Sequence, residues 1–366
     1  MQQKRCWMII DGQWGSTGKG LIAGYLARKF KPQGAVCNFG PNAGHTFRYE
    51  GRTVMTRQLP TAIVSPDVKV ILIGPGAIID PEVLDKEMVE FADLLKDKNV
   101  FIHERAAVTT RFHRELEQEA LAHISSTGKG TGAAMCQKIM RGAESNIARD
   151  YKDKGYKWSD RVCGHDMFMS VLLSLDTMQI ESAQGFELGI NSGSHYPYCT
   201  GRDVTPAQVM ADCSIPHVYF NFLTTFCSLR TFPIRVGDQY DAEGKKVGTS
   251  GPVYQDQEEI TFEKLGVPDE RTTVTGKIRR IFTFSNYGTR RMFQSVRPGY
   301  IFLNFVNYLT KSPGFFDPAV SAFIMNLHKQ YMLATGVRPN QDFVRYIGCG
   351  PDEKDVLDAM DVRLKI

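Results

Sequence analysis

Gly12-Gln13-Trp14-Gly15-Ser16-Thr17-Gly18-Lys19-Gly20 lies between an apolar run, Cys6 to Ile10, and a segment, Leu21 to Phe30, with Leu21, Ile22, Tyr25 and Leu26 on one helical face. A strand, a glycine-rich turn and a helix in that order aim backbone N–H groups and the positive end of a helix dipole at one point. Lys19 adds a full charge there. The arrangement is a phosphate cradle, but not a standard P-loop. Gln13 holds the position five before Gly18, and Gly20 stands where a Ser or Thr would hold magnesium. A tight strand–helix turn with no ligand is the plain alternative.

The alternation continues outward from this stretch. Val70 to Ile73 reads as an apolar strand closed by Gly74-Pro75-Gly76. Asp80-Pro81 then supplies an N-cap and first-turn proline to a helix with Val83, Leu84, Met88, Phe91 and Leu95 at three- and four-residue spacing. Further strands are predicted at Val100 to His103, Met178 to Glu181, Thr231 to Val236, Tyr300 to Val306 and Phe343 to Ile347. Helices are predicted at Phe112 to Ile124 and Pro318 to Leu333. This order predicts an α/β fold: a mostly parallel central sheet flanked by helices, P-loop-like in its nucleotide site. Residues 1–366 are expected to form a single domain, with the polar, turn-rich stretch 238–271 as an elaborated loop region over the site.

Composition excludes several classes. With 366 residues, 42% hydrophobic and 23% charged, the chain is not disordered. A net charge of +4, spread along the chain, demands no nucleic-acid surface. No apolar run approaches the roughly 20 residues that cross a bilayer, and MQQKRCWMII reads as a first strand rather than a signal peptide. The eight cysteines make no CxxC pair, so reduced thiols in a cytoplasm are expected.

Three more clusters carry chemistry. Gly40-Pro41-Asn42-Ala43-Gly44-His45-Thr46 suits a turn where the backbone approaches a ligand and an imidazole projects into it; a satisfied structural histidine is the alternative. Ser125 to Gly132, followed by Arg141, offers hydroxyls, free amides and a guanidinium fork fit for a monophosphate, or an ordinary surface loop. Thr272 to Arg280 concentrates positive charge beside hydroxyls and could clamp a carboxylate; a solvated basic strand is the alternative. Two phosphate-type sites and a carboxylate site suggest an enzyme joining a nucleotide to an acid.

In order along the whole chain, these segments resemble the adenylosuccinate synthetases, ligases that use a nucleoside triphosphate to couple aspartate to the 6-position of a purine monophosphate. Gly12 to Gly20 resembles QWGDEGKGK, Asn42 to Thr46 matches NAGHT, and Ile73 to Gly76 resembles IGNG. Thr127-Gly128-Lys129-Gly130 resembles TTGRG, Glu181 to Gly185 EGAQG and Tyr196 to Thr200 YPYVT. Thr275 to Arg280 resembles TGRRRR, and Gly350-Pro351-Asp352 the closing TGPD. The resemblance implies that Gly15 to Gly20, with Lys19, His45 and Thr46, hold the triphosphate. His45 would be the acid in γ-phosphoryl transfer to the purine O6. Magnesium is implied, with the Gly44 carbonyl and residue 16 as ligands. Asn42, Thr127, Gly128, Gln184 and Thr200 would bind the purine monophosphate, and Val236 its sugar. Val274, Thr275, Lys277, Arg279 and Arg280 would face L-aspartate, Lys277 standing where the family has Arg. Arg141 would reach the neighbouring subunit's nucleotide phosphate, which implies a homodimer.

Two departures change the expected substrate. Ser16 replaces the family's Asp, the base for the purine N1 proton. Losing such a base typically costs about 10²–10⁴ in rate. A carboxylate at N1 lies beside position 2, where guanine has an amino group; a shorter hydroxyl leaves room for that group and can accept its N–H. A phage-encoded branch resembling this family carries such a Ser and converts dGMP to its 6-succinylamino derivative, towards diaminopurine DNA. The expectation is therefore a dGMP–aspartate ligase of that branch. Candidates for removing the N1 proton are a metal-bound water, the substrate's own carboxylate or Asp11, the last reading more simply as a turn residue. The second departure is Leu303-Asn304-Phe305-Val306-Asn307 in place of the guanine-reading TKLD segment. With no carboxylate for guanine, an amide from Asn304 or Asn307 can face adenine, beside Gly348, Gly350 and Pro351, so ATP is expected. Strand-end capping is the alternative for both amides. The rival readings are an ordinary enzyme acting on IMP with GTP, and a catalytically silent nucleotide-binding relative.

Overall fold

The computed structural model describes residues 4–143, 145–217, 222–272 and 276–363. Its centre is a 10-stranded sheet. In chain order the strands are β1 (Arg5–Asp11), β2 (Gly34–Cys37), β3 (Val70–Ile73), β4 (Asn99–His103), β5 (Val162–Cys163), β6 (Thr177–Glu181), β7 (Phe222–Arg230), β8 (Tyr300–Asn304), β9 (Val344–Gly348) and β10 (Val356–Asp358). Their spatial order is β10-β9-β8-β7-β1-β6-β2-β3-β4-β5. Every pairing is parallel except β9 with β10.

Parallel strands covered on both faces need apolar residues on both. Ile9, Ile71 and Ile102 join one core layer with Leu26 and Phe47, while Met8, Ile10, Leu72 and Ile180 join the other with Phe168 and Phe293. That two-sided demand is why Cys6 to Ile10 reads as an unbroken apolar run. The helices on these faces include α1 (Lys19–Phe30), α2 (Pro81–Glu90), α5 (His165–Ser174), α6 (Asn286–Val296) and α7 (Pro318–Thr335), whereas α3 (Arg111–Ala120) and α4 (Thr131–Met140) pack on each other outside the sheet. Asp80 caps α2 as expected, its carboxylate accepting the N–H groups of Glu82 and Val83.

One predicted strand is displaced. The sheet strand is Phe222–Arg230, and only Ile234–Arg235 of the predicted Thr231 to Val236 pairs, in a separate three-stranded sheet. Pro233 lacks the N–H that a central strand must donate. Thr224 and Thr225 broke the apolar pattern where the true strand runs. The predicted helix Phe112 to Ile124 ends at Ala120 and continues as a 3₁₀ turn, Ala122–Ile124. Within 238–271, the pair Gln239–Tyr240 and Lys246–Gly248, the short strand Glu259–Ile260 and the helix Phe262–Leu265 replace open loop. Because the strands are parallel, Asp11, Cys37, Glu181, Arg230, Asn304 and Gly348 all end at one edge, where open α/β sheets place their ligands.

Candidate active site

Asp11, the last residue of β1, organises the first glycine turn. Its Oδ1 accepts from the N–H of Gln13 (2.8 Å) and Gly15 (3.3 Å). Its Oδ2 accepts from the Thr17 N–H (3.4 Å), the Thr17 hydroxyl (2.6 Å) and Lys19 Nζ (3.3 Å). Asp11 is wholly buried and spent on the loop, so it is a turn residue and is not placed as a base. Lys19 also donates to the Gln184 carbonyl (2.7 Å), which holds its ammonium at the loop's centre. A Cβ on Gly20 would lie 2.6 Å from the Thr46 backbone N. The missing P-loop hydroxyl is therefore a packing requirement of α1 against the hairpin His45–Tyr49/Arg52–Thr56. Ser16 stands at the exposed tip, with φ +55°, and its carbonyl accepts from Arg230.

His45 is buried, and its Nδ1 lies 2.6 Å from Glu181 Oε1. Glu181 in turn accepts from the Thr61 N–H (2.7 Å) and hydroxyl (2.9 Å). A carboxylate has no proton to give, so Nδ1 donates and Nε2 is left for a ligand. To act as an acid, Nε2 must carry a proton. Glu181 stands in the motif Glu181 to Gly185, in which the sequence attached no role to this residue. Beside it, Gln184 (φ +63°) donates from Nε2 to Asn42 Oδ1 (2.9 Å). Asn42, Gln184 and Thr200 line one open cleft with Thr131, Gly132 and Arg202. Arg202 is buried against Asp212 and the Asn38 carbonyl. Three of the predicted monophosphate residues thus come together. Thr127 and Gly128 sit on the adjoining loop, and Val236 is half-buried just past Ile234–Arg235.

Four amides at the second glycine loop are already taken. Glu117, on α3, accepts from Gly130 (2.7 Å), Gly132 (2.5 Å) and Ala133 (3.2 Å), occupying the N-terminus of α4. The Ser126 hydroxyl takes the Gly128 N–H. What remains for an anion on this loop is Thr127, Lys129 and the Thr131 hydroxyl. Arg141 caps the far end of α4 with φ +57°, exposed beside Ile139 and Met140.

The basic segment divides. Val274 and Thr275 lie outside the described residues. Lys277 is exposed. Arg279 is mostly removed from solvent; burial and the neighbouring Arg230 pull its guanidinium down to about 10, against the opposing charge of Glu270. Arg280, expected on the same side, is instead spent: Nε and Nη2 grip Glu259 (2.8 and 2.6 Å) and Nη1 reaches the Gly251 carbonyl. Arg279 lies just before the strand Arg280–Phe282, with its N–H donating to the Glu270 carbonyl (2.9 Å).

Asn304 is likewise committed. Its Nδ2 donates to the Thr17 carbonyl (3.1 Å) and its Oδ1 accepts from the Phe305 N–H (2.9 Å), the strand-end capping arrangement. A Cβ on Gly18 (φ +92°) would fall 2.0 Å from that amide. Asn307 remains exposed in the turn Val306–Tyr308, and Gly350 and Pro351 follow β9 at the same edge. Among the described residues no group of three or more His, Cys, Asp or Glu side chains could hold a metal. The Ser16 hydroxyl and Gly44 carbonyl are neutral oxygen donors, which fits a magnesium ion arriving on substrate phosphates rather than a resident one. All eight cysteines are free. No helix among the described residues is long and apolar enough to cross a membrane.

The adenylosuccinate synthetase family model matches residues 8–153. Over 366 residues the chain is 39% identical to the N6-succino-2-amino-2'-deoxyadenylate synthase of Salmonella phage PMBT28, covering 96% of this chain and 97% of that one. Over 330 residues it is 41% identical to the protein of the same name from Acinetobacter phage SH-Ab 15497, covering 83% and 84%. The succinoaminodeoxyadenylate synthetase of Cyanophage S-2L, solved bound to dGMP and dATP as an energy donor, matches with TM-score 0.85 and 34% identity over 97% of this chain and 95% of that one.

Proposed function

Because the chain belongs to the adenylosuccinate synthetase family, the C–N ligases of purine nucleotide synthesis, we propose that it joins L-aspartate to C6 of dGMP at the expense of ATP. The products are 2-amino-2'-deoxyadenylosuccinate, ADP and phosphate. The observation that carries the substrate is Ser16: a small hydroxyl, exposed at the tip of the first glycine turn, stands where a carboxylate would crowd a purine 2-amino group. The phage relatives and the dGMP-bound cyanophage enzyme support the same reading.

The reaction has two steps. The purine O6 attacks the γ-phosphorus, ADP leaves, and the N1 proton is lost. The aspartate amine then attacks C6 and expels phosphate. Lys19, centred by Asp11 and the Gln184 carbonyl, stabilises charge growing on the transferred group. His45, with Nδ1 held by Glu181, presents Nε2 as the proton donor. Asn42, Gln184 and Thr200 bind dGMP in their shared cleft, Arg279 and Lys277 take the aspartate carboxylates, and Asn307 faces the adenine. Magnesium bound with the triphosphate, with the Ser16 hydroxyl and Gly44 carbonyl as the chain's ligands, would neutralise phosphate charge. The N1 proton does not go to Asp11, whose oxygens are already taken. Exposed Ile139 and Met140 around Arg141 support a homodimer in which Arg141 reaches the partner's nucleotide.

Phosphate release, measured with dGMP or IMP, with ATP or GTP, and with or without aspartate, tests this. Release that requires dGMP, ATP and aspartate together is expected. Faster turnover of IMP, strict GTP dependence or no turnover at all contradicts it.

A further inference from the structure

Arg230, the last residue of β7, is fully buried, and none of the roles above uses its side chain. Three ligand-side segments meet at its guanidinium. Its backbone is fastened to the first glycine turn, because the Arg230 N–H donates to Gln13 Oε1 (3.0 Å) and the Arg230 carbonyl accepts from Gln13 Nε2 (3.2 Å). Its Nη1 donates both to the Ser16 carbonyl (3.2 Å) and to Glu270 Oε2 (3.1 Å), while Nη2 donates to Glu270 Oε1 (2.5 Å). Its guanidinium carbon sits 3.8 Å from the centroid of the Phe305 ring. The Tyr308 hydroxyl donates to Glu270 Oε1 at 2.8 Å. Glu270 opens the segment that carries Lys277 and Arg279, and Phe305 to Tyr308 is the turn that carries Asn307.

Ser16 needs such a hold. Its φ of +55° lies in the left-handed region, which a non-glycine residue keeps only when its surroundings fix it. A charge-assisted bond to its carbonyl, from a fork locked by a carboxylate and laid on an aromatic face, supplies that fixing. We propose that Arg230 is a positioning residue: gripped by Glu270 and Phe305, it sets the height of the Ser16 hydroxyl beneath the purine, and so the preference for a 2-amino purine. The proposal deepens the functional reading above and rests on its assignment of Ser16. Glu270 and Tyr308 act through Arg230. A lysine at 230 keeps the charge but lacks the planar fork whose two nitrogens reach both Glu270 oxygens and the Ser16 carbonyl.

The test compares dGMP with dIMP, which differ only in the 2-amino group, using wild type, Glu270→Gln, Arg230→Lys and Tyr308→Phe. Melting curves establish that each variant is folded. Displacement of an oriented group by about 1 Å can cost 10²-fold. Glu270→Gln and Arg230→Lys are therefore expected to lower kcat with dGMP by about 10- to 100-fold and the dGMP-over-dIMP ratio of kcat/KM by about 5-fold or more. Tyr308→Phe, which removes one supporting bond, is expected to lower the same ratio by about 2-fold. Should a variant at 230 or 270 not fold, Tyr308→Phe still reads the ratio. Folded variants that lose activity equally on both nucleotides, or lose none, overturn the positioning role while leaving the ligase reading intact. A wild-type enzyme with no preference for dGMP overturns that reading and this proposal with it.

Discussion

The two glycine-rich loops look alike in sequence and are built alike in one respect: a buried carboxylate sits on the amides that would otherwise greet a phosphate. Asp11 holds Gln13, Gly15 and Thr17; Glu117 holds Gly130, Gly132 and Ala133. They differ in what surrounds that carboxylate. Asp11 is inside the sheet edge, is paired with Lys19, and its loop is tied further by Ser228 and Asn304 to the Thr17 carbonyl. Glu117 belongs to a helix lying outside the sheet, and among the described residues the hydrogen bonds it accepts come from backbone amides alone. The lesson is that glycine gives such a loop its shape, while an internal anion spends part of its amides. Side chains then carry more of a ligand's binding: Lys19 and His45 in one case, Thr127, Lys129 and Thr131 in the other.

This contrast predicts an order of damage. Asp11→Ala leaves the Lys19 ammonium buried and unpaired, a defect that typically costs about 3–5 kcal/mol. Urea unfolding should show a midpoint lowered accordingly, with turnover abolished. Glu117→Gln removes the charge but keeps one amide oxygen for the loop. About 1–3 kcal/mol of stability should go, with KM for dGMP raised more than kcat is lowered. Equal losses from the two substitutions, or the reverse order, would break the comparison.

A third buried carboxylate sharpens it. Glu187 lies behind Trp14 and bonds to the Tyr254 hydroxyl and Arg291 rather than to a set of amides. Burial pushes its carboxyl up to about 7, against the pull of Tyr254 and Arg291. Its folded value exceeds its unfolded one, so folding takes up a proton between the ordinary carboxylate range and pH 7, and stability drains as pH rises through that window. The melting-temperature difference between Glu187→Gln and the parent should move in the variant's favour from pH 5 to pH 8. A flat difference would count against an unsupported carboxylate there. This is the smallest of the three effects.

Much of this was legible in the residues. A run such as Met8-Ile9-Ile10, apolar on both faces, can only be a covered parallel strand, and the turn after it places the site. Asn42, Gln184 and His45 were singled out because each sits in a short motif that resembles the adenylosuccinate synthetases. Of the anchoring carboxylates only Asp11 was, as a turn residue; Glu117 and Glu181 were not. Glu181 meets Thr61 across 120 positions of chain, and no local pattern records such a contact. Arg279 and Arg280 stand side by side in sequence, and it is the contact of Arg280 with Glu259, 21 positions away, that tells them apart. The true strand Phe222–Arg230 was hidden because its first residues, Phe222 and Leu223, are exposed and its centre carries two threonines.

The central claim is that the size and charge of residue 16 choose the purine. Its most direct test is the ratio of kcat/KM for dGMP to that for dIMP in the wild type and in Ser16→Asp. The account predicts a wild-type ratio well above one and, with the carboxylate restored beside N1, a fall of about 10²-fold or more, as a buried clash with an exocyclic amine would give. A ratio unchanged by the substitution would contradict it.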